Sequence, residues 1–205
     1  MSVLVYQRPL KRPATMADLE ALPENVKGEI IDGVLYTLPR PRPRHANVES
    51  LIDTELKGPF QRGRGGPGGW WILPEPGITL PGSPEFSPDV AGWRRDRLAV
   101  LPEDRIDVIP DWICEILSPS TRGYDQRIKR PFYARIGVGY LWYVDLEGHS
   151  LTVSQLQLHE GVGRWVELGV YGEDDVVRAA PFDAIEIALG EWWQTGAPPS
   201  GSAAP

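Results

Sequence analysis

The chain has 205 residues, enough for one domain with a real core, and its 41% share of hydrophobic residues is that of a folded protein. A net charge of −7 and a pI near 5.0 argue against broad, non-specific nucleic-acid binding, although they leave room for a local basic cleft. No apolar run is long enough to cross a membrane, and the first residues lack the order of a secretory signal. The single cysteine, Cys114, cannot form an internal disulfide, so we expect a cytoplasmic protein.

The first third of the chain carries turn and capping signals between four elements. Thr15 and Asp18 have the spacing of a helix capping box, Asp32-Gly33 is a hairpin turn dipeptide, and Gly58 is expected to end a helix. The predicted elements are an irregular or edge arm (1–13), a short helix (15–23), a hairpin (27–38) and a longer helix (45–58).

The remainder alternates strands with one further helix. The helix at 125–137 has apolar residues four apart, although Pro131 is awkward in its interior. The predicted strands are 70–75, 77–80, 86–93, 112–117, 140–145, 150–158, 165–172 and 185–188, with a long connection at 94–110. This order predicts an α/β (α+β) fold, in which helices flank a mixed β-sheet with added antiparallel hairpins. We expect a single domain at 1–195 and a flexible tail at 196–205.

The stretch DWICEILSPS, residues 111–120, places one charge in an otherwise apolar strand. Both faces of the strand at 112–117 are apolar except at Glu115, which is the pattern of a central strand covered on both sides. A buried carboxylate costs several kcal/mol, of the order of its desolvation penalty, unless it is paired, protonated or bound to a metal. Glu115 is therefore a candidate site residue, and a buried ion pair with an arginine is the alternative.

Asp89 provides a second acid one strand earlier, in FSPDVAGW. Two carboxylates on neighbouring strands do not both stay ionised unless a cation joins them, and hard oxygen ligands suit Mg²⁺ or Mn²⁺. We therefore predict a metal site at Asp89 and Glu115; for Asp89 the alternative is a turn residue after proline. Without metal, Glu115→Gln is expected to raise thermal stability because it relieves the repulsion.

Lys129 completes the candidate catalytic set. The chain has only four lysines and uses arginine elsewhere, so an ammonium kept at this position suggests a role beside a metal and a water. A helix that begins near Lys129 would also point its positive end toward the end of the Glu115 strand.

The segments GEIIDG, SPDV, PDWICEILSPST and DQRIKRPFYARIGVGYLWYVD, in this order, resemble the Uma-two (Uma2) family of endonucleases over residues 15–190. That family belongs to the PD-(D/E)xK, restriction-endonuclease-like superfamily. The resemblance implies a restriction-endonuclease-like core with Asp89 in the PD element and Glu115 as the second acid. The lysine usual two residues after that acid is replaced by Leu117, and the resemblance implies that Lys129 on the following helix takes its role.

Further residues are weaker candidates. Glu29 stands in an otherwise apolar hairpin strand where the family usually has an acid, and His45 opens a helix; an exposed strand residue and a helix-capping histidine are the respective alternatives. Arg122 and Arg127 are candidates for phosphate binding, with solvated surface as the alternative. Tyr133, one turn after Lys129, is expected to pack in the core, and a place in the lining of the same cleft is the alternative.

The leading functional hypothesis is a Mg²⁺- or Mn²⁺-dependent endonuclease that hydrolyses phosphodiester bonds in DNA. The alternative is a nuclease fold without catalysis that serves as a binding or assembly module. The eight tryptophans, some in pairs, suggest apolar surface that a homo-oligomer such as a dimer could cover. DNA is the expected partner, and no membrane is expected.

Overall fold

A computed structural model describes residues 6–8 and 10–194 of the chain, so the predicted tail at 196–205 lies outside the described residues. Thirteen strands are present in this part of the chain. They are β1 (Tyr6–Arg8), β2 (Lys27–Ile31), β3 (Val34–Leu38), β4 (Trp70–Pro74), β5 (Ile78–Leu80), β6 (Ser83–Phe86), β7 (Val90–Arg94), β8 (Trp112–Leu117), β9 (Tyr140–Asp145), β10 (Ser150–His159), β11 (Val162–Gly172), β12 (Val176–Val177) and β13 (Ile187–Ala188). The helices are α1 (Met16–Glu20), α2 (Pro43–Leu56), α3 (Arg122–Tyr124) and α4 (Arg130–Ile136).

Two sheets organise the molecule. The larger has the strand order β11-β10-β9-β8-β7-β4, and the smaller has the order β1-β3-β2-β6-β5. In the larger sheet β8 and β9 run parallel and the other neighbours run antiparallel. The predicted fold class is confirmed: a mixed β-sheet is flanked by helices and extended by antiparallel hairpins.

Strand β8 lies at the centre of the larger sheet, and all six of its residues are buried. Its even-numbered side chains, such as Cys114, pack with residues of α2 such as Ile52. Its odd-numbered side chains Ile113 and Leu117 pack on the opposite face with residues of α4 such as Phe132. Since side chains alternate along a strand, Glu115 points to the α4 face.

The predicted strand at 86–93 is wrong in one respect, because it is divided between the two sheets. β6 ends at Phe86 in the smaller sheet, and β7 begins at Val90 in the larger one. Pro88 stands at the break, where its missing N–H would leave a gap in any continuous ladder. Asp89 therefore lies where the chain passes from one sheet to the other.

The helix boundaries also differ from the prediction. Helix α2 begins two residues early and runs past Gly58 into a π-helical turn at Lys57–Gln61. A second π-helical turn at Asp125–Lys129 joins α3 to α4, so the helical path begins at Arg122 and not near Lys129. Pro59 and Pro131 stand in or beside these turns and cannot donate the usual helix bond. Lys129 is thus inside the helical path and not at its positive end, so the predicted contribution of the helix dipole at Lys129 is wrong.

Turn and cap chemistry follows the sequence closely. Asp32 and Gly33 both have positive φ, of 52° and 72°, as the predicted two-residue hairpin turn between β2 and β3 requires. The Asp18 carboxylate accepts a hydrogen bond from the Thr15 backbone N–H at 2.8 Å at the start of α1. The hairpin turn sets the register of β2 and β3 in the smaller sheet, and β2 carries Glu29.

Candidate active site

Asp89 and Glu115 lie side by side at the end of the β7–β8 pair. The antiparallel ladder pairs Val90 with Cys114, so Asp89, which directly precedes β7, lies next to Glu115 at the end of this ladder, and both residues line one cavity. Glu115 is 1% exposed, and 16% of the Asp89 side chain is exposed. The structure therefore places the two predicted acids together, with Glu115 beneath and Asp89 partly open to solvent.

One oxygen of Asp89 is held by the protein. Its Oδ2 accepts the backbone N–H of Ile116 at 2.6 Å and lies 3.2 Å from Nε2 of His45. Burial acts to raise the pKa of Asp89, but the hydrogen bond with His45 and the charge of Lys129 outweigh it and hold that pKa below its ordinary value. Within the described residues, no hydrogen bond involves Oδ1 of Asp89.

Glu115 shows the same division between its two oxygens. Oε1 accepts the hydroxyl of Tyr133 at 2.5 Å and the ammonium of Lys129 at 3.0 Å. Burial, which Lys129 only partly offsets, raises the pKa of Glu115 to about 7, and the nearby charge of Asp89 adds to the rise. Oε2 accepts no hydrogen bond in the part of the chain that the structure describes.

Lys129 is a buried ammonium, 3% exposed, among several carboxylates. Besides Glu115 it contacts Oε1 of Glu29 at 3.4 Å and the carbonyl of Ser87 at 3.3 Å. Burial acts to lower the pKa of Lys129, but Glu115, Glu29 and neighbouring carboxylates raise it well above its ordinary value. The lysine is therefore charged, and it offsets part of the negative charge of the acids that surround it.

Glu29 and His45 join the predicted residues in this cluster. Glu29 is 1% exposed, and its Oε2 accepts the hydroxyl of Tyr124 at 2.8 Å, so the exposed-residue alternative does not hold. His45 is 8% exposed and touches Asp89, while its Nδ1 is buried without a hydrogen-bond partner among the described residues. The hydrogen bond to Asp89 raises the pKa of His45 against the opposing effect of burial.

The two predicted phosphate-binding arginines lie elsewhere. Arg122 pairs with Asp145 at 2.6 Å, and Arg127 is exposed. Neither lines the cavity of about 220 Å³ into which the acids open. The arginines that do line it come from the Pro-rich segment that leads into the first turn of α2, and they are Arg40, Arg42 and Arg44.

Several polar residues of the site were not selected from the sequence as site residues. Tyr133 packs in the core as expected, but it also donates to Glu115, and its position four residues after Lys129 on a helical path was the available signal. Asp125 is 3% exposed and lines the same cavity. Glu49, one helical turn after His45, lies 3.9 Å from it; burial, then Asp89 and other carboxylates, raises the Glu49 pKa to about 7.

The donor set fits a divalent cation that keeps most of its water. Within the described residues, no group of three or more histidine, cysteine or acidic side chains forms a complete metal cage. Mg²⁺ is commonly held by one or two carboxylates together with waters and substrate phosphate, so a complete cage is not required. Asp89 and Glu115 each have one oxygen free of protein hydrogen bonds at the cavity, which suits that mode of binding.

Comparisons with known proteins identify a family and a similar fold. The model of the Uma2 family, described as "Putative restriction endonuclease", matches residues 15–190. Among solved structures, the fold is similar to that of "a putative nuclease belonging to DUF820" from Anabaena variabilis, with a TM-score of 0.65 and 22% identity, covering 89% of this chain and 100% of that one. No curated protein matches the chain. Of the helices that the structure describes, none has the length and apolar character to span a membrane.

Proposed function

The chain belongs to the Uma2 family, and on that premise we propose that it is a metal-dependent endonuclease that hydrolyses phosphodiester bonds in DNA. The observation that carries the proposal is the convergence of Asp89, Glu115 and Lys129, with the Lys129 ammonium 3.0 Å from the acid of the central strand. These residues come from three separate segments of the chain, and a merely structural ion pair would not need the second acid.

In this proposal Asp89 and Glu115 would hold Mg²⁺ or Mn²⁺ through their free oxygens. Such an ion lowers the pKa of a bound water and stabilises the charge that develops on the phosphate. His45 and the Ile116 N–H orient the Asp89 carboxylate, while Tyr133 fixes that of Glu115. Lys129 contributes an ammonium that balances the acids and attracts the phosphate.

The test is plasmid nicking by the purified protein with Mg²⁺ or Mn²⁺, with and without chelator. Asp89→Asn should remove cleavage, because the carboxylate loses its charge while its size is kept. Glu147→Gln is the matched control, since Glu147 lines the same cavity but is exposed and is not part of the acid pair. Metal-independent nicking, or full activity in Asp89→Asn, would contradict the mechanism.

Absence of cleavage on duplex, single-stranded and nicked DNA would favour the alternative, a nuclease fold that serves as a binding or assembly module.

We further propose a cytoplasmic enzyme, because Cys114 is a buried free thiol. We also propose self-association through β11, an edge strand whose outward residues Val162, Val166 and Val170 are exposed. Light scattering tests this, and a monomer at all concentrations would contradict it.

A further inference from the structure

The cavity has a buried cluster of acids at its floor and arginines near its opening, where Glu147 is an exposed acid. Its floor holds Glu29, Glu115 and Asp125 around Lys129, all of them at most 3% exposed. Three arginines lie near the opening of the cavity, and we call them the arginine rim: Arg40, Arg42 and Arg44. Arg40 and Arg42 are exposed. An anion that approaches the acids therefore meets guanidinium groups first, which is the order of charges a polyanionic strand requires.

The arginine rim is held on a stiff segment. Proline alternates with arginine along PRPRPR, residues 39–44, and each proline fixes its own φ and restricts the residue before it. Such a segment loses little conformational entropy when its side chains bind a ligand. Helix α2 then begins at Pro43, and its first backbone hydrogen bond runs from the N–H of Ala46 to the carbonyl of Arg42. The amides before that bond are at the positive end of the helix, beside the cavity.

Arg44 is oriented by two residues from distant parts of the chain. Its Nη2 lies 2.8 Å from Nε2 of His149, which accepts the hydrogen bond. His149 in turn stacks on Trp193, with ring centroids 5.4 Å apart and an angle of 10° between the planes. Nε of Arg44 is buried, and the described residues offer it no hydrogen-bond acceptor. A guanidinium N–H without a partner is costly, and the Arg44 side chain lines the cavity, where a phosphate oxygen would supply an acceptor for its guanidinium group.

We propose that the arginine rim is a second anion site, which binds the sugar-phosphate backbone of a DNA strand next to the phosphate that is cleaved. Phosphate contacts of this kind set the position of the strand without reading its sequence. Arg44 is held in place by His149 and Trp193, which act as positioning residues. The inference rests on the proposed function for the identity of the ligand, but the rim itself does not depend on metal or on cleavage.

The test measures binding of a fluorescent single-stranded oligonucleotide by anisotropy in the presence of chelator, over a range of salt concentrations. The variant replaces all three rim arginines with alanine, and the matched control replaces Arg62, Arg64 and Arg164, three exposed arginines that do not line the cavity. The salt slope is the slope of the logarithm of the binding constant against the logarithm of the salt concentration. Each lost phosphate contact should reduce the magnitude of this slope by about 0.7, so the rim variant should lose about 2 units and the control should lose none. Equal loss in both variants overturns the proposal.

A second variant guards against loss of folding. Arg40 and Arg42 are exposed, so replacing only these two with alanine leaves the partly buried Arg44 in place, and we expect a loss of slope of about 1.4. A slope equal to that of the wild type in this variant, with an unchanged melting temperature, overturns the rim assignment. Binding by the wild type without any cleavage in Mg²⁺ would remove the proposed enzyme activity while leaving the rim intact.

The role of His149 is tested separately. His149→Ala should weaken oligonucleotide binding as much as Arg44→Ala does, and the two changes together should weaken it no further. His149→Gln should retain most of the affinity, because its amide oxygen can accept the same hydrogen bond. A merely structural histidine would give additive effects with Arg44→Ala and no rescue by glutamine, and that result overturns the positioning role.

Discussion

Tyr133 and Lys129 donate to the same oxygen of Glu115, at 2.5 and 3.0 Å. Both donors belong to the helical path that crosses the sheet, and they are four residues apart. One turn of helix therefore supplies two hydrogen bonds to a single carboxylate oxygen. The second oxygen is left toward the cavity. The acid of the central strand is thus oriented entirely by the helix that covers it.

We expect Tyr133→Phe to raise the pKa of Glu115 further, because the tyrosine hydrogen bond stabilises the charged carboxylate. The loss of one hydrogen bond to a charged group corresponds to roughly one pKa unit. Carboxyl NMR of the metal-free protein measures the shift directly, and the acid limb of the cleavage profile should move to higher pH by the same amount. Tyr143→Phe is the control, since that hydroxyl donates to the backbone carbonyl of Asp125. An unshifted Glu115 in Tyr133→Phe would contradict this assignment.

We expect Glu115→Gln to stabilise the metal-free protein near and above neutral pH. The folded-state pKa of Glu115, about 7, lies above its ordinary value of 4.5, so the folded protein binds the proton more tightly than the unfolded chain. This carboxyl therefore lowers the free energy of unfolding as the pH rises from about 4.5 to about 7, by roughly 3 kcal/mol at about 1.4 kcal/mol per pKa unit. Glutamine removes that dependence.

Denaturant unfolding across this pH range checks the prediction. The gain from Glu115→Gln should vanish below about pH 4.5, where the wild-type carboxyl is already neutral. A loss of stability at every pH would mean that the Lys129–Glu115 attraction outweighs the cost of burying the acid, and that Glu115 is a structural partner of the lysine.

Lys129→Ala should reduce Mg²⁺-dependent cleavage by about 10²- to 10³-fold, since an electrostatic group of the site is lost. The burial of Lys129 among acids predicts that the same change also lowers the free energy of unfolding by about 3–5 kcal/mol. Adding Glu29→Gln to Lys129→Ala should recover much of the stability, because one uncompensated carboxylate is removed.

The double variant separates the two roles of the lysine. If Lys129 is catalytic, the stabilised double variant stays inactive although it is folded. Recovery of cleavage together with stability would show that the lysine serves only the fold. Lys129→Arg should rescue little, because a planar guanidinium does not fit the space of the ammonium.

His45→Ala should weaken Mn²⁺ binding about 10-fold or more, as is typical when a residue that orients a metal ligand is removed. The histidine holds Oδ2 of Asp89 and lowers the pKa of that acid, so its loss leaves the ligand less fixed and easier to protonate. Calorimetric titration measures the change, with the exposed His159→Ala as control. Glu115→Gln should remove the heat of Mn²⁺ binding. An unchanged titration of this variant would mean that the metal ligands lie elsewhere.

The site residues that the sequence predicts are those whose residue type is unusual among their neighbours in the chain. Glu115 stands out because a charge in a doubly covered strand is unusual, and Lys129 stands out against a chain rich in arginine. The contact between Glu29 and Tyr124 could not be predicted in this way, since it joins positions 95 residues apart through the packing of the smaller sheet on the helical path. The arginine rim was missed for a related reason: the direction of each guanidinium depends on the path of the Pro-rich segment, and the sequence pattern does not fix that path.

The hydrogen bonds from the helical path to Glu115 also affect the local unfolding of that path. If the segment from Asp125 to Ile136 lifts from the sheet, Glu115 and Glu29 lose Lys129 and are left next to Asp89 without a cation. Lifting this segment breaks the Lys129 ion pairs and exposes the buried Phe132 and Tyr133, while the acids regain contact with water, so local opening should require a large share of the free energy of global unfolding. The ion pairs of Lys129 with the acids thus join the helical path to the central strand. The backbone amides of α4 should therefore exchange with solvent among the slowest of the helical amides.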